Sequence, residues 1–390
     1  MYTVDTSPAD VTSSVVGIAL SAQTSACENG GLSRSRAKGR TSMNRREFTT
    51  SLLTGAGVIG APSIARSQNV YELKLGHFIS PTHIFAEYLQ KCADELKTKS
   101  SGKLSITIFP ANTMGPVQNY YDYARTGVAD ITWYLTGATP GRFPLTEIIQ
   151  LPYMVGSSEI GTQTLNDPEV LKLIEPEYQG VKILYLLTTQ PGVLLTSKVP
   201  VHKVDDMKGM RVRFASATIK SFIAALGATP VGVPPSGIAD ALQKGTIDGC
   251  FTDYGGAHTA FRLGGLVKYS TDIYAYVSSF GVVMNPASYA KLPSELQKLI
   301  DDTTRPRLAE IGKLWDSADA PGKQYLVSEG NTSITLSKEE DVHFKQIGAE
   351  DTARVLKELD DKGQPASKVH TAMKTAADKY AKNSFSFWKA

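Results

Sequence analysis

A chain of 390 residues, 42% hydrophobic and 20% charged, can bury a sizeable core, and its length favours two domains over one. Its net charge is only +3; beyond the first 65 residues 35 basic side chains face 34 acidic ones. That balance excludes a phosphate-tracking surface, so no nucleic-acid partner is expected, and three cysteines are too few for a disulfide framework.

In chain order, residues 1–42 are rich in Ser, Thr, Gly and Ala and show neither helical nor strand periodicity. Met43 then opens a segment with Arg45, Arg46 and Phe48, followed by an apolar run from Leu52 to Ile64 and small residues at Ala61, Ser63 and Ala65. A basic region, a short apolar region and a small-residue cleavage site form an export signal. The paired arginines match the twin-arginine type; an ordinary secretory signal containing two arginines is the alternative. Residues 1–67 are therefore expected to be a non-structural leader, with Met43 the expected start. The mature chain, from about Gln68, is expected to be soluble and periplasmic. No later apolar stretch is long enough to span a bilayer, so no stable membrane insertion is expected.

From Val70 the chain alternates strand-like and helical patterns, the grammar of an α/β protein. Val70–Gly76 predicts a strand, a helix follows from Thr82, and Leu104–Phe109 is a second strand closed by Pro110. Gln118–Thr126 is helical until Gly127 stops it, Ala129–Tyr134 is a third strand, and Val181–Leu187 is apolar enough to be buried on both faces. After Pro200 the grammar restarts. Strands are predicted at Met210–Phe214, Thr229–Val233 and Ile247–Phe251, with helices from Ile219 to Leu226 and from Ser236 to Leu242. Tyr276–Asn285 is expected to cross back to the first unit. An amphipathic helix begins at Ser294, with Pro306 kinking or breaking it.

This reads as a bilobal α/β fold with a ligand cleft between the lobes. The expected division is 68–190 with a return segment near 279–315 for the first lobe, and 191–278 with C-terminal helices near 316–390 for the second. The chain lacks the nucleotide-binding glycine loops, the H-E-x-x-H zinc pattern, G-x-S-x-G and C-x-x-C. Its histidines are scattered, so no catalytic residues, no metal and no cofactor are expected.

The segment Asp205-Asp206-Met207-Lys208-Gly209-Met210-Arg211-Val212-Arg213-Phe214 resembles the signature strand of the DctP-type solute-binding proteins of TRAP transporters. The likeness continues in order through Leu226-Gly227-Ala228-Thr229-Pro230, Ala241-Leu242-Gln243-Lys244-Gly245, Ile247-Asp248-Gly249 and Lys291-Leu292-Pro293-Ser294-Glu295-Leu296. Upstream, Phe109-Pro110-Ala111, Gly127-Val128-Ala129-Asp130 and Leu151-Pro152-Tyr153 fit the same family. The resemblance implies two α/β lobes with a long helix along both, capture of a small organic acid, and delivery to TRAP membrane permease subunits driven by an ion gradient. A periplasmic sensor of the same fold, or an exported enzyme using Asp253, Cys250 or His258, are the competing readings.

Within that resemblance Arg213 falls where the family grips the ligand carboxylate. A guanidinium suits this task because it is always charged and its planar fork matches two carboxylate oxygens. Arg211 is expected to face the other way, on the surface. Thr252, Asp253 and Tyr254 take positions where many family members carry an acidic residue first, a departure that speaks against metal-assisted binding and leaves Asp253 as the acid in place. Trp133 and Tyr134 are candidates for an aromatic cleft wall, and His77 and Phe78 for contacts at the end of the first strand. Gln190-Pro191-Gly192-Val193-Leu194-Leu195 lacks a second arginine that several relatives have, which favours a monocarboxylate or a partly apolar or aromatic acid. Arg142 either supplies a second charge or fixes the loop after the third strand.

Overall fold

The computed structural model describes residues 69–389; the leader and twin-arginine segment read at 1–67 lie outside the described residues. In chain order, β1 (Tyr71–His77), α1 (Ile84–Lys99), β2 (Leu104–Phe109), α2 (Tyr120–Thr126), β3 (Ile131–Leu135), α3 (Ser158–Leu165), α4 (Pro168–Ile174) and β4 (Lys182–Thr188) build the first lobe. The chain then leaves for β5 (Gly192–Thr196), β6 (Arg211–Phe214), α5 (Ala217–Ala225), β7 (Thr229–Gly232), α6 (Ile238–Gln243), β8 (Gly249–Thr252) and β9 (Tyr269–Tyr276). It returns as β10 (Ser279–Met284) and continues through α7 (Pro286–Ala290), α8 (Ser294–Thr304), α9 (Leu308–Asp316), α10 (Asp319–Ser328), β11 (Thr332–Ile334), α11 (Lys338–Asp361) and α12 (Ala366–Tyr380).

Local chemistry sets these boundaries. His83 accepts the Phe85 N–H at 3.1 Å and so caps α1, Asp167 caps α4 ahead of Pro168, and Gly127 closes α2 at φ 79°. Pro306 has no N–H to give, and a short 3₁₀ turn at Arg305–Arg307 divides α8 from α9 as the sequence predicts.

The first sheet has the order β2-β1-β3-β10-β4 and the second β11-β9-β5-β8-β6-β7. Each holds one internal strand running against its neighbours: β10 against β3 and β4, and β5 against β8 and β9. Those two strands are the ones that arrive directly from the opposite lobe. Their connections, residues 189–191 and 277–278, lie side by side. The Thr189 N–H donates to the Ser278 carbonyl at 2.9 Å, and the Ser278 N–H donates to Thr189 Oγ1 at 3.1 Å.

The first lobe has one core of aliphatic and aromatic side chains, while the second sheet is covered on both faces, by Phe222, Val212 and Phe251 on one side and Val193, Leu195, Ile238 and Leu326 on the other. The segmented helix serves both lobes: α9 packs on α3 and β4, and Gly322 of α10 lies against the Tyr254 carbonyl. Of residues 316–390, grouped by sequence with the second lobe, β11 joins the second sheet, whereas α12 packs on α3 and α4 and adds Val369 and Met373 to the first core. The apolar tail docks on its own chain. The Phe387 N–H donates to the Gly156 carbonyl at 2.9 Å, its ring stacks on Tyr274 at 5.0 Å, and Trp388 Nε1 donates to the Tyr274 carbonyl at 3.0 Å. Cys250 is buried and Cys92 half-buried, both unpaired. No helix among the described residues is long and apolar enough to cross a membrane.

Candidate functional site

A cleft enclosing about 470 Å³, its mouth included, lies between the lobes, over a floor formed by Thr189 and Ser278 of the two crossovers. The first lobe lines it with Phe78, His83, Trp133, Phe280 and Trp315, and the second with Arg213, Thr252, Asp253 and Tyr276.

Arg213 sits near the C-terminal end of β6, flanked by parallel β7 and β8, and is 4% exposed. Its Nε donates to the Val233 carbonyl at 3.0 Å, which fixes the plane of the guanidinium. Among the described residues no carboxylate forms an ion pair with it, and burial lowers its pKa. An arginine stays charged nonetheless. Asp253, the acid nearest in sequence to the cleft, directs Oδ1 to the Gly256 N–H at 2.6 Å, and burial pushes its pKa up to about 6. It therefore caps its own turn and does not neutralise the arginine. A buried charge without a partner costs several kcal/mol, roughly, and that cost is relieved by an anion brought in from outside.

Opposite the cation is an aromatic wall. Phe78 and Trp133 lie 5.2 Å apart between ring centroids, Trp133 and Phe280 5.7 Å, and Phe280 stacks on Trp315 at 5.6 Å and 18°. β-Strand alternation explains half of this wall: Trp133 and Leu135 project to one face of β3, with Phe280 in register on β10. His83 completes it, 5.0 Å from Trp315. Burial lowers the His83 pKa to about 3, so the wall carries no charge at neutral pH.

Residues 75–359 match the DctP family, described as bacterial extracellular solute-binding protein family 7. The chain belongs to that family. A TRAP solute-binding protein from Rhodoferax ferrireducens T118, in complex with copurified benzoate, is 28% identical; the match has a TM-score of 0.76 and covers 80% of this chain and 98% of that one. A marine metagenome TRAP solute-binding protein specific for aromatic acid ligands, from an unidentified microbe and in complex with 3-hydroxybenzoate, is 30% identical with a TM-score of 0.76, over 80% of this chain and 99% of that one. An uncharacterized protein of Sinorhizobium fredii is 27% identical over 216 residues, 53% of this chain but only 39% of its own length.

The structure of this DctP-family chain brings Arg213, Thr252, Asp253, Trp133 and Phe78 to the cleft, and leaves three other expected residues outside it. Tyr134 projects to the opposite face of β3, edge-on to Tyr121 and against Phe143. Tyr254 turns away from the cleft to donate to Asp272 Oδ1 at 2.5 Å. His77 is buried beside Trp133 but lines a separate shallow groove with Glu87 and Lys91.

Arg211 and Arg213, two residues apart, share one face of β6, contrary to the expectation that they face opposite ways. What separates them is position along the strand. Arg211 is at the exposed start, paired with Asp248 at 2.8 Å, and Arg213 is at the buried end. Arg142 pairs with Asp122 at 2.8 Å and lies over Tyr121, so it fixes the loop to α2. No group of three or more metal-ligating side chains occurs among the described residues. Sequence reasoning missed Phe280, Trp315, Tyr276, Thr189 and Ser278. The last three flank or form the crossovers, and no local motif marks them.

Proposed function

We propose that this protein is the exported, periplasmic solute receptor of a TRAP-type secondary transporter, and that it binds an aromatic or partly apolar monocarboxylate and delivers it to the membrane permease. The carrying observation is the buried Arg213 guanidinium, which pairs with no carboxylate among the described residues and shares the cleft with the neutral wall of Trp133, Phe280, Phe78 and Trp315. The ligand carboxylate supplies the missing counter-charge to Arg213, and its ring lies against the aromatic side chains. Closure of the lobes removes water from the ion pair and strengthens it. Two similar proteins carry benzoate and 3-hydroxybenzoate, ligands of this chemistry.

No reaction is assigned to the cleft. Burial pushes the Cys250 thiol up to about 12, which keeps it protonated, and His258 stacks on Tyr325 at 4.2 Å, away from it.

Isothermal titration of the purified chain with benzoate, phenylacetate, succinate and galacturonate tests the reading. Aromatic monocarboxylates are expected to bind, and Arg213→Ala is expected to weaken them about 30-fold or more, since truncating one side of a buried charge pair costs about 2–5 kcal/mol. Unchanged affinity in that variant removes Arg213 as the anchor. Tight binding of succinate alone removes the aromatic ligand class.

A further inference from the structure

We infer that Trp315 sets the size limit of the ligand ring, admitting one-ring acids and excluding fused two-ring acids. This rests on the aromatic monocarboxylate reading above and names the residue that divides that class.

Trp133, Phe78 and Phe280 belong to or follow strands of the first sheet, so the sheet fixes where their rings can be. Trp315 has a different origin. It is the penultimate residue of α9, four before α10 begins at Asp319 and carries the chain to the second lobe. Its indole is 3% exposed, stacks on Phe280 and stands edge-on to Trp133 at 6.3 Å and 72°. On its other sides are His83 at 5.0 Å, itself part of the cleft lining, and Phe85 at 5.7 Å, packed into the first core. The indole is thus a backstop: it borders the cleft and packs against Phe85 of the first core.

Its neighbour holds it there. The two carboxylate oxygens of Asp316 accept the Ser158 and Glu159 N–H groups at 2.7 and 2.9 Å, tying the end of α9 to the start of α3. The backbone that carries Trp315 therefore cannot move away from the cleft without breaking those bonds. Buried indoles ordinarily find an acceptor for their N–H, yet Trp315 Nε1 has none among the described residues. Shrinking a buried aromatic leaves a cavity that the surroundings refill only in part, and here that space opens into the cleft.

The test is calorimetric titration of the full chain and its Trp315→Ala and Trp315→Phe variants with benzoate and 2-naphthoate. Wild type is expected to bind benzoate at least tenfold more tightly than 2-naphthoate. Trp315→Ala is expected to weaken benzoate and strengthen 2-naphthoate, so that the ratio shifts at least tenfold, with Trp315→Phe shifting it less in the same direction. If Trp315→Ala does not fold, Trp315→Phe alone decides, with a shift of at least threefold expected. A ratio unchanged in the folded variant overturns the inference while benzoate binding by wild type keeps the receptor reading intact. Wild type that binds neither acid overturns both.

Discussion

Two imidazoles are buried at the edge of the first sheet, and both are held neutral by desolvation: His83 with its pKa lowered to about 3 and His77 to about 4. An unfolded chain restores each to its ordinary value near 6.5. Between those limits the unfolded state takes up protons that the native state refuses, so each histidine lowers stability as the pH falls through the window, by about 1.4 kcal/mol per pH unit. Asp253, raised to about 6, and Asp319, raised to about 7, act in the opposite sense, because their native forms hold protons that the unfolded chain has released. A variant comparison separates the contributions. His83→Asn keeps an acceptor at the α1 cap and removes the titration. Thermal unfolding followed from pH 6.5 down to 4 is expected to show a shallower loss of stability in His83→Asn than in wild type. Parallel profiles would mean that His83 protonates in the native state without penalty.

At the scale of elements, the contact between α9 and α3 controls where the cleft wall stands. Gly312 on α9 faces the backbone of α3, and an added Cβ would land on Glu159 Cα and lie 2.6 Å from its nitrogen. Backbone cannot rotate aside as a side chain can. Gly312→Ala is therefore expected to destabilise by about 1–3 kcal/mol, although alanine is the better helix former, and urea unfolding reads the difference. An unchanged midpoint would show that the two helices can separate at no cost.

The same helix marks the limit of what the sequence discloses. Its apolar spacing at Leu308, Ile311 and Leu314 announces a buried face, and Ile311 is indeed buried; Trp315 belongs to that face too, but periodicity cannot tell a core indole from one bordering a ligand. Strands β1, β2, β3 and β4 were legible as apolar runs bounded by Gly or Pro. β9 was not, because Ser270, Thr271 and Asp272 interrupt its apolar pattern and are accommodated by long-range bonds, among them Thr271 Oγ1 to the Val201 carbonyl at 2.9 Å. Arg213 was legible through the motif around it. Tyr134 was misplaced because a one-residue step along a strand moves a side chain to the opposite face, and Tyr254 because the chain turns into a helix directly after β8.

At the scale of the whole molecule, the lobes are joined by more than the cleft. The tail at Phe387 and Trp388 ties the end of α12, which packs on the first lobe, to Tyr274 of β9 in the second. Ending the chain at Asn383 is expected to lower the melting temperature by about 1–2 °C, the equivalent of roughly 1 kcal/mol at an unfolding entropy of about 2.1 cal/mol/K per residue. Calorimetry of the shortened chain checks this, and an unaltered transition would show that the tail rests on the surface without holding it.

The paired crossovers at Thr189 and Ser278 have a geometric consequence. Connections of three and two residues, bonded to each other, leave almost no slack for the lobes to slide or separate. Turning about the line through those two residues leaves both sheets intact. In the proposed role, occupancy of the cleft is thereby converted into a single angle. A permease that gauges that angle learns that cargo is present without ever touching the cargo itself.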